Sequence, residues 1–341
     1  MDNSLINNGQ AHLLEGLNSL PSTERSSFLN SFKQSELDLS AHVIDLQKKS
    51  LSTNVSALDR NLCLSLPNCS EEQKSDLYNT GLESIARGEV AVVIMAGGMG
   101  TRLGFEHPKG MYSIDLPSKK SLFQIFAEKV LGLCRLANVD SSKLPLCIMT
   151  SQLNHDETST LPCFTFDGKI ILEKPGVIAR SPDGNGGLFN ALHSSGVLSK
   201  LQESGTEGIF VMGVDNILAL PAEPHFIGYC KKQNVSVANF CIEKTNPSES
   251  VGVVGLNDTG KGPMPHVVEY TELSKEQQNM RHADGSLVFN AANIATHYFS
   301  LSMVAKVAVG DLPLPFHLAK KKIPFGILLP SKQLYQQNQM V

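Results

Sequence analysis

No two of the ten histidines in this chain of 341 residues stand three or four apart, which argues against a zinc site built on one helix face. None of the seven cysteines forms a Cys-x-x-Cys pair. Their odd number and scatter, from Cys63 to Cys241, fit reduced thiols and a cytoplasmic setting rather than a disulfide framework. Charge of either sign is not in excess: 18% of residues are charged and the net charge is −4. Such a chain has no overall field for nucleic acid or an anionic membrane, so any phosphate site has to be local. No apolar run approaches the length of a membrane span, and the first thirty residues lack the basic start and apolar core of a signal peptide. No Ser-His-Asp or Cys-His arrangement, internal repeat or low-complexity segment stands out. The apolar fraction of 41% is that of an ordinary globular protein, long enough for one large α/β domain with an appendage, or for two domains.

Glycine is where the chain is informative. The apolar run 90–96 leads straight into Gly97-Gly-Met-Gly-Thr-Arg-Leu-Gly-Phe-Glu-His-Pro-Lys-Gly110. A β-branched run ending in a glycine loop is how α/β proteins bring bare backbone to a phosphate. Gly97, Gly98, Gly100 and Gly104 clear the approach, and Arg102 and Lys109 add positive charge downstream, a combination suited to a nucleoside triphosphate. Two better-known loops do not fit. Counted from Gly98, the dinucleotide fingerprint finds Gly100 at its third position but Leu103 at its sixth. The P-loop needs Gly-Lys-Ser/Thr opening a helix, whereas Lys109 follows Pro108, which forbids a helix running through it. Lys109 is therefore expected on a loop.

Residues 1–88 read as a helical accessory region. Leu13, Leu14, Leu17 and Leu20 recur at helical spacing, and Ser70 with Gln73 forms a capping box. Residues 89–324 alternate short apolar runs with helical patterns, which argues for βαβ units and a mainly parallel sheet. Extended segments from 251 to 294 then predict an antiparallel addition. Residues 325–341 form a polar tail.

Three further segments fall where strands of such a sheet end, the edge at which ligands bind. Pro182-Asp-Gly-Asn-Gly-Gly187, with Gly184 and Asn185, frees backbone ahead of a helix, or is an ordinary helix entry. Asp215 closes the run 209–214, a good position for a carboxylate holding Mg²⁺ against phosphate oxygens; a capping aspartate is the plain alternative. Glu269, Asn290 and Asn293 stand among apolar neighbours, where polar groups are either internally satisfied or facing a ligand.

Together these residues resemble the eukaryotic UDP-N-acetylhexosamine pyrophosphorylases. The loop 97–110 is similar to that family's signature. The likeness continues in order through 116–124, 182–188, 214–216, 243–247, 251–254, 267–270 and 289–293, covering roughly residues 70–324. It implies a Rossmann-like mixed central sheet of the nucleotide-diphospho-sugar transferase type. It further implies in-line attack of N-acetylglucosamine-1-phosphate on the α-phosphorus of UTP, forming UDP-N-acetylglucosamine and releasing pyrophosphate. On the resemblance, Gly97, Gly98, Met99, Gly100, Thr101 and Gly184 line the nucleotide. Arg102 and Lys109 stabilise the transferring phosphoryl group, and Asp215 holds Mg²⁺. Asn185, Gly252, Glu269, Asn290 and Asn293 line the sugar. Homo-oligomer formation is left open, and so is the choice between N-acetylglucosamine and N-acetylgalactosamine.

The chain departs from the family in three places. Met99 replaces a glutamine beside the base. Only fourteen residues separate Ser151 from Phe166, where the family has a longer segment with a uracil-reading glutamine. The likeness stops at Pro324, before the family's further phosphate-binding lysine. The expectation is a chain short of an internal segment and a C-terminal region. The alternative to a working enzyme is an impaired form that binds nucleotide weakly or pairs with a full-length subunit.

Overall fold

The computed structural model describes residues 2–18, 20–31, 55–59, 62–98, 100, 103–150, 160–165, 167–182, 184–258, 263–270, 272–312, 318–321 and 337–340. The chain divides into two compact units, residues 53–154 with 189–312, and residues 1–52 with 155–188 and 313–341.

The larger unit is built on an eight-stranded sheet. Its strands are β1 (Val55–Ser56), β2 (Val90–Met95), β3 (Leu146–Met149), β4 (Gly208–Gly213), β5 (Val237–Glu243), β6 (Val253–Asp258), β7 (Pro263–Val268) and β8 (Ala291–Ser300). Along the sheet the order is β1-β6-β8-β4-β2-β3, with β7 also pairing β6 and β5 also pairing β8. Strands β3, β2 and β4 are mutually parallel, and every other pairing is antiparallel. The expected mixed sheet is there, but the mainly parallel pattern holds only around β2. An apolar run reports burial and carries no strand direction, and it is β8, running against its neighbours, that breaks the parallel pattern. Because β8 opposes both β4 and β5, the carboxyl ends of β2, β3, β4 and β5 share one edge. The runs 90–94 and 208–212 are continuously buried, as parallel central strands covered on both faces should be.

Among the described helices of this unit, three frame the parallel strands and the loops that follow them. Helix α1 (Glu71–Arg87) has the expected Ser70/Gln73 capping box and ends on Gly88 in the left-handed conformation, φ 78°. Helix α2 (Leu122–Leu136) opens with a second box, Ser121/Gln124, and buries Leu122, Phe126, Val130 and Leu133 in the main core. Helix α3 (Pro224–Gln233) starts from Glu223, whose carboxylate accepts the Phe226 N–H at 2.9 Å. Helices α1 and α3 meet backbone to backbone. A Cβ on Gly81 would stand 1.9 Å from the Pro224 carbonyl oxygen, and one on Gly228 1.9 Å from that of Leu77.

The smaller unit carries short helices Asp2–Asn7, His12–Leu17 and Ser22–Ser31. Leu5, Leu13, Leu17 and Phe28 form a core with Phe164, Ile170 and Leu172. Buried Gln10 ties the two segments, donating to the Gly168 carbonyl at 3.0 Å and accepting the Ile170 N–H at 2.9 Å. Strand Leu318–Lys321 pairs antiparallel with Gln337–Met340. The two units therefore cross the boundaries expected at 88/89 and 324/325: residues 53–88 group with the sheet, and 155–188 with the N-terminal helices. Contacts distant in sequence decide this grouping, and local composition does not register them. The short link at 151–159 lies outside the described residues.

Candidate functional site

The glycine loop starts where β2 runs out. Ala96 N–H still bonds to Met149 at 2.8 Å, and Gly97 and Gly98 then leave the sheet. The loop folds back on itself: Gly100 N–H donates to His107 at 3.0 Å and Lys109 N–H to Gly98 at 3.1 Å. Lys109 is thus returned to the mouth of β2. It opens a short 3₁₀ turn, Lys109–Met111, with Pro108 just before it, instead of lying on the plain loop expected. Proline fits there because the first turn has no use for its missing N–H.

The glycines have different reasons. Gly98 is exposed with open space where a side chain would stand, as a ligand-facing backbone requires. Gly100 is buried under Phe105, and a Cβ there would meet that ring at 2.8 Å, so its glycine serves loop closure. Gly104 takes the left-handed φ of 68°. Gly110 lies under the Phe123 ring, 2.0 Å from where a Cβ would be, which seats the turn carrying Lys109 on α2.

Strand β4 delivers the partner. Its parallel register with β2 places Gly213 beside Met95, and Val214 N–H bonds to Met95 at 3.1 Å. Asp215 follows, and its carboxylate pairs with the Lys109 ammonium at 2.7 Å, with side chains 68% and 23% exposed respectively. Sequence reading missed how the turn behind Asp215 is held. Lys129 on α2 reaches across to donate to the carbonyls of Ile217 and, at 2.9 Å, Ala219. Burial lowers the pKa of Lys129. Asn216 donates its side-chain amide to Ile294 at 3.4 Å. A lysine among helix positions looks like any solvated charge until its tertiary partner is seen.

The second group lies at the same edge, on the β5–β8 side. Asn293 N–H donates to Gly252 at 2.8 Å, and a Cβ on Gly252 would stand 3.6 Å from a Glu269 carboxylate oxygen. Glu269 is exposed just beyond the end of β7. Its N–H bonds to Glu272 at 3.0 Å, leaving the carboxylate at the rim. The Asn290 carbonyl accepts from Lys244 N–H at 2.7 Å. Asn293 sits at a bulge where the β5–β8 register shifts, and its side-chain oxygen caps Ala295, whose φ is 52°. Bulges commonly re-aim side chains at sites. Gly184, with φ 75°, and Asn185 belong to the smaller unit. Met99, Thr101 and Arg102 lie outside the described residues.

Among the described residues no group of three His, Cys, Asp or Glu could hold a metal by itself. A lone exposed carboxylate such as Asp215 matches the way Mg²⁺ is shared with substrate phosphates, one or two carboxylates supplying the protein's part.

A mixed sheet with a glycine loop, lysine and aspartate at the carboxyl edge of its parallel strands defines an α/β protein of the nucleotide-diphospho-sugar transferase type. The model of the UTP–glucose-1-phosphate uridylyltransferase family matches residues 28–169 and 158–326. The probable UDP-N-acetylglucosamine pyrophosphorylase of Dictyostelium discoideum is 34% identical over 94% of this chain and 72% of that protein. The UDP-N-acetylglucosamine pyrophosphorylase of Saccharomyces cerevisiae is 37% identical over 74% of this chain and 57% of its own length. The crystal structure of the Trypanosoma brucei enzyme of that name, in complex with an inhibitor, superposes with a TM-score of 0.80 at 27% identity, covering 99% of this chain and 72% of that one. The chain belongs to the eukaryotic UDP-N-acetylglucosamine pyrophosphorylase family. It spans between about half and three quarters of the length of its curated relatives.

Proposed function

We propose that the chain is a uridylyltransferase that makes UDP-N-acetylglucosamine and pyrophosphate from UTP and N-acetylglucosamine-1-phosphate. The observation that carries this reading is the Lys109–Asp215 pair, 2.7 Å apart across the carboxyl ends of parallel β2 and β4, beside an open Gly98. Nucleotidyl transfer needs positioning and charge neutralisation more than an acid–base pair. The Gly97–Gly98 backbone takes the nucleotide phosphates, and Arg102 and Lys109 offset charge on the transferring phosphoryl group. A sugar-phosphate oxygen forms the new bond to the α-phosphorus as the bond to the β-phosphate oxygen breaks and pyrophosphate leaves. Asp215 would hold Mg²⁺, whose chemistry when bound is to neutralise the triphosphate. Gly252, Glu269, Asn290 and Asn293 pair with sugar hydroxyls and the acetamido group. Seven scattered cysteines with no Cys-x-x-Cys pair suit work in the cytoplasm.

Pyrophosphate release measured with the purified chain tests the reading. Turnover should require UTP, N-acetylglucosamine-1-phosphate and Mg²⁺ together, and Asp215→Asn should raise the Mg²⁺ needed for half-maximal rate. With Met99 in the loop and a short 151–166 link, preference for UTP over CTP or ATP should be small, because a site discriminates strongly only through hydrogen-bond partners it possesses. Nucleotide binding with no pyrophosphate release under any of these conditions would sink the catalytic reading in favour of a binding subunit.

A further inference from the structure

We infer that Lys244 is the cation that takes the phosphate of the sugar 1-phosphate, a phosphate-monoester dianion; this rests on the uridylyltransferase reading. Lys244 follows directly on β5 and is 2% exposed, the one charged side chain among the described residues in the buried class. Its backbone is fixed by the Asn290 carbonyl at 2.7 Å, yet among the described residues its ammonium has no hydrogen bond and no ion pair. The fold does not treat its other partly buried lysines this way. Lys129 meets two carbonyls, and Lys231 meets the carboxylates of Glu89 and Glu207. A lysine whose stem is buried and whose ammonium has no partner in the protein is poised for an anion, because no internal acceptor competes for it.

Its neighbours say which anion. Glu243 pairs in register with Ala291, and Gly252, Glu269 and Asn293 gather around the same strand ends. Lys244 is therefore on the β5–β8 side with the sugar residues. The triphosphate loop and Asp215 instead issue from β2 and β4. A hexose 1-phosphate whose hydroxyls face Glu269 and Asn293 carries its dianion on the same strands as this lysine. Lys244 forms no covalent bond. When the sugar-phosphate oxygen joins the α-phosphorus, the phosphate it holds becomes the β-phosphate of the nucleotide sugar. The contact outlasts the chemistry, whereas the departing pyrophosphate never touches it.

Calorimetry on the whole 341-residue chain, as wild type, Lys244→Met and Lys244→Arg, reads this directly. Lys244→Met should weaken N-acetylglucosamine-1-phosphate and UDP-N-acetylglucosamine by about tenfold or more, and leave UTP and pyrophosphate within about twofold. Lys244→Arg should retain more affinity than Lys244→Met. The thermal midpoint of Lys244→Met should not fall, since a merely structural lysine would lower it and an uncompensated one would not. Unchanged sugar-phosphate affinity, or equal losses for UTP and sugar phosphate, would overturn the inference. Should the methionine variant not fold, acylation of Lys244 in the wild type followed by mass spectrometry decides. Protection by N-acetylglucosamine-1-phosphate but not by N-acetylglucosamine supports the site, and equal labelling in both refutes it. A wild type that ignores the sugar phosphate but binds inorganic phosphate through Lys244 keeps the anion site and discards the uridylyltransferase reading. Binding of neither discards both.

Discussion

The two ends of the parallel strands β2 and β4 carry similar numbers of charges and treat them in opposite ways. At the amino end, Glu89 and Glu207 precede the strands, and Lys231 of α3 bridges both carboxylates. Arg87 and Ser84 of α1 complete the cluster, with contacts to Glu89 at 2.5 and 2.6 Å. Every charge there is matched from inside the protein. At the carboxyl end, a mostly exposed Asp215 meets Lys109, Glu269 stands at the rim, and Lys244 is buried without a partner among the described residues. One end closes the fold; the other holds charge and bare backbone that only a ligand can use. Removing a charge at the first end should therefore cost stability, and at the second end function.

The largest expected effect is at the open end. Lys109→Met should lower turnover about 10²–10³-fold, roughly 3–4 kcal/mol of barrier, as loss of a preorganised charge does. Its thermal midpoint should stay near wild type, because the partner it leaves, Asp215, is 68% exposed. A matching loss of stability would make Lys109 a structural residue. The closed end answers to a different substitution. Gly228→Ala would push a Cβ to 1.9 Å from the Leu77 carbonyl oxygen and part α1 from α3, which bring Arg87 and Lys231 to Glu89. Overpacking of this kind costs about 3 kcal/mol, read as a lowered denaturant midpoint. An unchanged midpoint would show that the helices can slide without loss.

Much of this contrast was legible in the sequence, and the legible parts share a cause. The Ser70/Gln73 capping box, the buried runs of β2 and β4 and the glycine loop are local signals, and each appears where its spacing set it. Asp215 could be proposed because it follows a strand, a relation of adjacent residues. Lys244 and Lys129 could not be singled out, since what marks them is burial and partners some 46 and 88 residues away in sequence. The glycines at 81 and 228 escaped notice for the same reason. Gly100 was read as an opening for phosphate when its neighbour is Phe105, a contact made only when the loop closes.

Between the two ends lies His297, on β8 in register with Val211 and Asn239, its ring nitrogen 2.6 Å from the Asn239 side-chain oxygen. Burial pushes its pKa down from 6.5 to about 4. In the unfolded chain the imidazole takes its proton near pH 6.5, while in the fold it resists until about 4. Its contribution is thus complete above pH 6.5 and is lost as the pH falls to 4, on the order of 2–3 kcal/mol. Urea midpoints followed over that window should slope downward in wild type and lie flatter in His297→Gln. An equal slope in both would assign the acid sensitivity elsewhere in the sheet.

The smallest effect probes how complete the closed end is. Burial by itself would raise the pKa of Glu89, but hydrogen bonds from Arg87, Lys231 and Ser84 outweigh it and hold the carboxyl at about 2. A carboxylate lowered in this way stabilises the fold above its unfolded pKa of about 4.3 and loses that contribution as the pH falls towards 2. Discounted for solvent screening, the contribution is about 1 kcal/mol. Glu89→Gln should therefore unfold at a lower midpoint than wild type at pH 7, and the gap should narrow steadily below pH 4.3. Catalytic rates should match, because the cluster lies at the end of the strands opposite Lys109 and Asp215. A gap that stays constant with pH would mean that glutamine disturbs packing rather than charge. A change in turnover would mean that the two ends are coupled through β2 and β4, and that the closed end tunes the open one.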